Sequence, residues 1–287
     1  ARAGLKSPQE YREGLAFWAA WMDFTAGRNW RSTEDTAVAA SLLRDTDRWG
    51  NWTRGQDYYF EGELLWLDID TLIRKTTNNQ KSLDDFVRLF LGKDGDTSPA
   101  IVPYTFDELA ATLNQIMPYD WASFLHDRIE NVHEHADFDG IRRAGYDVVY
   151  QEEASASEKS MLQVFKWLGS VEEWFSAGVL VNADAGIVDV RWNGPAYKAG
   201  LAPGDKIIGV NGRMYNSDLL RAAIRGAKGK TEPIHLTVQR ESFLRTADID
   251  YHDGERYPVL KRSAETSAYL DDIIKPLASS PNAAERK

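Results

Sequence analysis

Residues 194–212 read Gly-Pro-Ala-Tyr-Lys-Ala-Gly-Leu-Ala-Pro-Gly-Asp-Lys-Ile-Ile-Gly-Val-Asn-Gly, and this run decides the fold of the second half of the chain. Pro195 stands where a helical turn opens, because its missing N–H costs nothing there, and Gly200 where the turn closes in the left-handed conformation. Pro203-Gly204-Asp205 is a tight turn. Ile207 to Val210 then form a short apolar strand that stops at Asn211-Gly212, a strong hairpin signal. Outward from this run lie Gly178–Val181, Ile187–Trp192, Ile234–Arg240 and Phe243–Tyr251, short alternating segments broken by Gly, Asn and Asp. Their period predicts strands, and one helix is predicted over about Ser217–Ala227.

The order G-x-A-x-x-A-G-L-x-x-G-D-x-I-x-x-V-N-G resembles the signature of PDZ domains, particularly those attached to bacterial proteases. The resemblance implies an α+β, partly open barrel that captures peptides. A strand edge accepts the peptide, a helix closes the groove and a loop of backbone N–H groups takes the carboxylate. Ser176-Ala177-Gly178-Val179 stands at the carboxylate loop and runs into Val179-Leu180-Val181, with Ser and Ala replacing the usual Gly and large apolar residue. Leu219, Leu220, Ala223 and Ile224 give the helix apolar faces that the sequence does not assign to core or groove. The candidate peptide-binding residues are Ser176, Ala177, Gly178, Val179, Leu180 and Leu220. A PDZ fold serving only as a spacer, its groove empty or filled by a neighbouring segment, is the alternative.

The 287 residues suffice for about two domains. With 34 basic and 44 acidic residues the net charge is −10, which argues against a nucleic-acid partner. The absence of Cys rules out disulfides and thiolate chemistry without identifying a compartment. No apolar run approaches the length of a membrane span, so a soluble protein is expected, with its compartment, bacterial periplasm or cytoplasm, left open. The first residue is Ala, and no signal-peptide pattern follows it. A processed or cut-down chain, with room for a signal sequence upstream, fits that beginning.

Up to about residue 145 the grammar is helical. Ser7-Pro8-Gln9-Glu10 is an N-cap, a first-turn Pro and a capping-box Glu, ahead of Leu15, Trp18, Ala19 and Met22 at helical spacing and a stop near Gly27. Ser32 starts a second helix with Val38 and Leu42 expected inside. A longer helix is predicted from about Asp57 to Arg74, and Ser82 caps another that should bury Phe86, Leu89 and Phe90. Asp107–Leu113 and Asp120–Glu130 add two more. Seven of the ten Trp fall in this half, and large core residues joining short helices explain them better than an aromatic binding surface. The expected organisation is a helical unit over 1–150, a linker over 151–170, the PDZ domain over 171–262 and a tail over 263–287 with a short helix near Ala268–Ile274 and a frayed end.

Asp57-Tyr58-Tyr59-Phe60-Glu61-Gly62, followed by an apolar helix, resembles the Tyr-x-Lys-Gly helix of gluzincin metallopeptidases. Ser7-Pro8-x-Glu10-Tyr11, Gly27-Arg28, Lys81 to Asp85, Gly145-Tyr146, Asp189-Val190-x-Trp192 and Arg256-Tyr257-Pro258 extend the match to the glycyl aminopeptidase family of that clan, in order over residues 7 to 262. The resemblance implies a helical C-terminal part of a catalytic region followed by a PDZ domain. It also implies that the Tyr59 hydroxyl donates to the oxyanion of a tetrahedral intermediate while zinc polarises the carbonyl. Glu61 departs from the family's Lys, and Glu61 and Glu63 read as a solvated helix face. A core-packed Tyr59 is the plain alternative.

Zinc binding in that clan needs H-E-x-x-H, two imidazoles one helical turn apart with a Glu between them as base. The five His, at 126, 133, 135, 235 and 252, include no i, i+4 pair. Glu13, in a Glu13-Gly14 pair like that of the family's third-ligand helix, is rejected as a ligand because Ser7–Tyr11 matches a region that the family places after that helix. His133-Glu134-His135-Ala136-Asp137 has the look of a metal motif, but Phe138 stands where a further His is needed, so a solvated loop is expected. Serine-hydrolase and nucleotide-binding glycine motifs are absent.

The reading is therefore the C-terminal portion of a zinc aminopeptidase acting on N-terminal small residues. The ligands lie in a missing N-terminal catalytic part, no zinc is expected in this chain, and the chain is expected to be inactive alone. A PDZ groove would take peptides or protein C-termini. The rival is a non-catalytic PDZ-containing peptide-binding or scaffold protein.

Overall fold

The computed structural model describes residues 1–43, 49–92, 101–155, 159, 173–263 and 267–275. In chain order the helices are α1 (Pro8–Asp23), α2 (Thr33–Val38), α3 (Ala40–Leu43), α4 (Gly50–Thr53), α5 (Tyr58–Thr76), α6 (Leu83–Leu91), α7 (Phe106–Ile116), α8 (Trp121–Glu130) and α9 (Asp139–Arg143). Then come β1 (Tyr146–Gln151), β2 (Val179–Val181), β3 (Ile187–Val190), α10 (Pro195–Lys198), β4 (Lys206–Val210), β5 (Arg213–Met214), α11 (Ser217–Gly226), β6 (Ile234–Arg240), β7 (Phe243–Ile249), β8 (Tyr257–Arg262) and α12 (Tyr269–Ile274).

Capping chemistry sets the helix starts. Glu10 N–H donates to Ser7 Oγ at 3.2 Å and Ser7 N–H to Glu10 Oε2 at 2.7 Å, and Ser82/Asp85 and Thr105/Glu108 repeat the device. Two helical cores result. Leu15, Ala19 and Met22 of α1 meet Leu64 and Leu67 of α5 and Ile141 of α9. Ile69 and Ile73, further along α5, meet Phe86, Leu113, Trp121 and Leu125. Two expected faces fail. Val38 and Leu42 are 76% and 85% exposed, because α2 ends at Val38 and the apparent i, i+4 spacing runs across a break into α3; Thr36 is the buried residue. In α6 Phe86 is buried while Leu89 is exposed. The stop expected at Gly27 comes four residues earlier, at Asp23.

The β-rich half is a partly open, PDZ-like arrangement, with a β2–β3 ladder and a four-stranded sheet in the order β5-β4-β6-β7, all antiparallel. Val179, Val190, Ile207, Val210, Leu236, Val238 and Ile249 point inward from the strands, and Leu220 and Ile224 of α11 close the core. Asn211 and Gly212 both have positive φ, as the hairpin signal requires.

β8 pairs with β1 and not with these strands, in an unbroken register from Tyr146↔Arg262 to Gln151↔Tyr257, and the ladder packs on α1. Gln151, expected to open the linker, is thus the last residue of a strand; residues 156–158 and 160–170 lie outside the described residues. α12 docks through Leu270 and Ile274 into the α1/α5 core, and Leu270 N–H donates to Ala144 O at 3.2 Å. The end expected to fray, 276–287, lies outside the described residues.

Between the halves Phe17, Ala20, Trp174, Phe175, Leu180 and Tyr257 form a further buried cluster. Trp121 and Trp174 are fully buried, and Trp21 stacks on Trp174 at 4.9 Å, so both are core residues; Trp30 is half exposed. Asn51, at the start of α4, makes the polar link. Its N–H donates to Asp189 Oδ2 at 2.7 Å, its Oδ1 accepts from Trp192 N–H at 3.0 Å and its Nδ2 donates to Phe24 O. Trp52 stacks on Trp192 at 4.3 Å beside it. Asn51→Ala removes the partners of the Trp192 amide and the Phe24 carbonyl in a part-buried seam. It is expected to cost about 2 kcal/mol or more in urea unfolding; a variant within about 0.5 kcal/mol of wild type would show that the seam does not depend on this side chain.

Candidate functional site

The first turn of α5 is set by charge. Asp57 precedes the helix without capping it; its carboxylate takes Arg54 Nε at 2.6 Å instead. Arg54 also donates to Arg31 O at 2.5 Å and to Glu61 Oε1 at 3.1 Å. Glu61 takes Arg28 Nη1 at 2.5 Å, and Arg28 reaches Met22 O at 3.1 Å and His133 O at 3.0 Å. Arg28, Arg31 and Arg54 are all buried. Burial pushes the Asp57 carboxyl up, and the Arg54 guanidinium opposes that shift. The expected solvated face is therefore corrected: Glu61 joins two buried guanidinium groups. Glu63 accepts from Tyr11 Oη at 3.0 Å, and burial with that carboxylate pushes the Tyr11 phenol up. Where the resembled motif carries Lys, this fold needs an anion.

Tyr59 stands on that turn 63% exposed, its ring 4.7 Å from that of Tyr58. The core-packed alternative does not hold. Phe60, next along, stacks on Trp18 at 3.6 Å and fixes the helix start against α1.

The 133–137 segment is only partly the expected solvated loop. His135 is exposed, and its ring meets Asp23 at 3.1 Å, while His133 Nε2 meets Asp127 O at 2.9 Å. Asp137 is mostly buried, 3.1 Å from Arg128 Nε and beside the carboxylate of Asp68, which is wholly buried and also bound by Arg143. Burial, with the Asp68 charge adding to it, pushes the Asp137 carboxyl up to about 7. Arg28, Glu61, Arg128, His133, Asp137 and Arg142 line a cavity of about 440 Å³ here. The remaining His meet single carboxylates: His126 with Glu130, His235 with Asp248 and His252 with Asp250. Among the described residues no group of three or more His, Asp or Glu could hold a metal ion.

The structure brings Ser176, Ala177, Gly178, Val179 and Leu180 together ahead of β3, all but enclosed. Ser176, Ala177, Val179 and Leu180 are each at most 5% exposed. Gly178 has φ of +79°, and a Cβ there would press on Arg191, so glycine is required. Its N–H donates to Glu173 O at 2.9 Å, and Ala177 O accepts from Ala196 N–H at 2.9 Å. Leu180 faces the seam cluster; Leu220 faces the β-rich core. Ser176 Oγ accepts from Arg256 N–H at 3.1 Å. A segment of the chain's own backbone thus lies on the expected carboxylate loop. Sequence reasoning missed Arg221, Arg225 and Glu255, which meet beside it; the i, i+4 arginine spacing on α11 was the available signal.

The PDZ domain family matches residues 170–251, so the β-rich half is a PDZ domain. No curated protein matches the chain. Among solved structures, an aminopeptidase N family protein from Idiomarina loihiensis superposes with a TM-score of 0.68 at 19% identity, over 95% of this chain and 45% of that one. The two share a fold, and this chain spans less than half the length of that protein. Among the described residues no helix is long and apolar enough to cross a membrane.

Two outcomes follow from the buried charges. Glu61→Lys sets an ammonium against Arg28 and Arg54 and should destabilise the chain by about 3–5 kcal/mol in urea unfolding, the scale for a broken buried pair; a neutral effect would put Glu61 outside the network. For Asp137 the raised folded value means that the native state holds the proton more tightly than the unfolded chain. The associated stability is complete below about pH 4 and is lost as pH rises through about 7. Asp137→Asn should therefore gain stability relative to wild type between pH 5 and 8, on the order of 1–4 kcal/mol, whereas a parallel pH profile would show that the pair is not coupled.

Proposed function

We propose that this chain is the C-terminal portion of a zinc-dependent aminopeptidase of the glycyl aminopeptidase type, cleaving small N-terminal residues such as Gly or Ala. The observation that carries the reading is Tyr59: an exposed phenol on the first turn of a long helix whose start is held by buried ion pairs and an aromatic stack. Such a hydroxyl is preorganised to donate a hydrogen bond where negative charge develops on a substrate oxygen, and preorganisation is what gives an oxyanion donor its effect. The shared fold with an aminopeptidase N family protein supports the same reading.

Among the described residues no set of side chains fits zinc. The histidines are spent singly on nearby carboxylates and carbonyls, and the acidic cluster at Asp68 and Asp137 is neutralised by Arg128 and Arg143. In this reading the metal ligands and the general base belong to a catalytic part upstream. For the PDZ domain we propose capture of peptides or protein C-termini in the groove between β2 and α11, with Ser176 to Leu180 on one side and Leu220 beneath.

In the complete enzyme, Tyr59→Phe should lower kcat by roughly 10²–10³ with little change in KM, the scale for losing one oxyanion donor. An unchanged kcat would remove Tyr59 from the mechanism. The chain of residues 1–287 alone should neither retain stoichiometric zinc nor turn over aminopeptidase substrates; detecting both would refute the reading of an upstream metal site.

A further inference from the structure

Residues 250–256, between β7 and β8, belong to no ladder, yet they are held at several points. Tyr251 Oη donates to Gly254 O at 2.8 Å, and Gly229 N–H to His252 O at 3.0 Å. Arg256 N–H donates to Ser176 Oγ on the carboxylate loop. Between these anchors Glu255 turns toward α11. Its Oε1 takes Arg221 Nε at 3.2 Å, and its Oε2 takes Arg225 Nη1 at 3.3 Å. Arg221 also reaches the Tyr257 hydroxyl at 3.3 Å, while the Tyr257 ring packs with Leu180 of β2. The carboxylate is 7% exposed, but the arginines holding it are 26% and 56% exposed. An anion arriving from solvent can therefore reach the guanidinium pair that Glu255 occupies.

We infer that Arg221 and Arg225 form the carboxylate-recognition site of this PDZ domain, and that Glu255 fills it as a built-in competitor for the free carboxyl terminus of a peptide. Two guanidinium groups one helical turn apart, each meeting one oxygen of a single carboxylate, are a general solution to binding that group. The usual solution is weakened in this chain, because the Gly178 N–H is already donated to Glu173 O and Ser176 is covered by the Arg256 amide. A segment without ladder hydrogen bonds opens at lower cost than the strands flanking it, so a peptide carboxylate competes with Glu255 without unfolding the domain. The inference rests on the PDZ domain being a peptide binder and is independent of the peptidase reading.

The test measures anisotropy of a fluorescein-labelled pool of randomised hexapeptides with free carboxyl termini, and of the same pool amidated, on the whole chain. Glu255→Gln should bind the free-acid pool at least tenfold more tightly than wild type, neither form should bind the amidated pool, and adding Arg225→Gln should remove the gain. Equal affinity of wild type and E255Q for the free-acid pool would leave peptide capture standing and overturn the role of Glu255. A gain shared by the amidated pool would overturn carboxylate recognition, and no binding to either form would overturn both. Should E255Q not fold, hydrogen exchange decides on wild type: millimolar free-acid pool should speed exchange of the Arg256 amide and amidated pool should not, and an unchanged rate would refute displacement.

Discussion

The pairing of β1 with β8 is the constraint on which the rest depends. The strand leaving the helical half at Tyr146–Gln151 and the strand returning to it at Tyr257–Arg262 run antiparallel side by side on α1. The PDZ domain lies between these two strands in sequence, so both ends of it are tied to one helical surface. That arrangement sets Trp174, Phe175 and Leu180 against Phe17 and Ala20, and it leaves Asp189 within reach of Asn51. A domain held at both ends and sealed by an apolar cluster is a fixed body, unlike the default of loosely tethered domains. It also draws Glu255 and Arg256, just before β8, across the loop at Ser176.

Buried charge does a second job in the helical half. Arg28, Arg31 and Arg54 are taken out of water, and each is matched by carbonyls or carboxylates from a different element: Met22 and His133, Thr53 and Asp35, Asp57 and Glu61. Such networks are a poor source of net stability, since desolvation offsets most of the attraction. Their consequence is geometric: few other arrangements satisfy every guanidinium donor, so the start of α5 and the turn carrying Tyr59 are specified closely. The Asp68–Asp137 pair does the same at the middle of α5, where Gly140 approaches the Asp68 backbone too closely for any side chain.

Much of this was legible in the residues. Caps at Ser7, Ser32 and Ser82 fall at the observed helix starts, and the Pro195–Gly212 punctuation yields the turns and strand that it spells. Local chemistry decides such features, because a cap or a positive-φ turn is satisfied by atoms a few residues away. The misreadings have the opposite character. Val38 and Leu42 looked like one face and lie on two short helices. Glu61 looked solvated because Arg28 lies 33 residues away, and Arg54, though only seven residues back, precedes the helix and reaches Glu61 only once the chain between them has folded. Ser176 to Leu180 were placed at a peptide loop, while the residues lying on that loop come from some 80 positions later, as the Arg256 contact shows.

The sequence by itself determined the helical first half, the PDZ domain and the charge balance that disfavours nucleic acid, all properties carried by local pattern and composition. It also marked Tyr59 as the residue to watch. Only the tertiary structure decided that Tyr59 faces solvent, that Glu61 is an internal ion pair, and that Glu255 occupies the arginine pair of α11. Each of those depends on which distant groups share a low-dielectric neighbourhood, where an unpaired charge or an unmade hydrogen bond is too costly to leave. Periodicity along one chain does not encode those pairings.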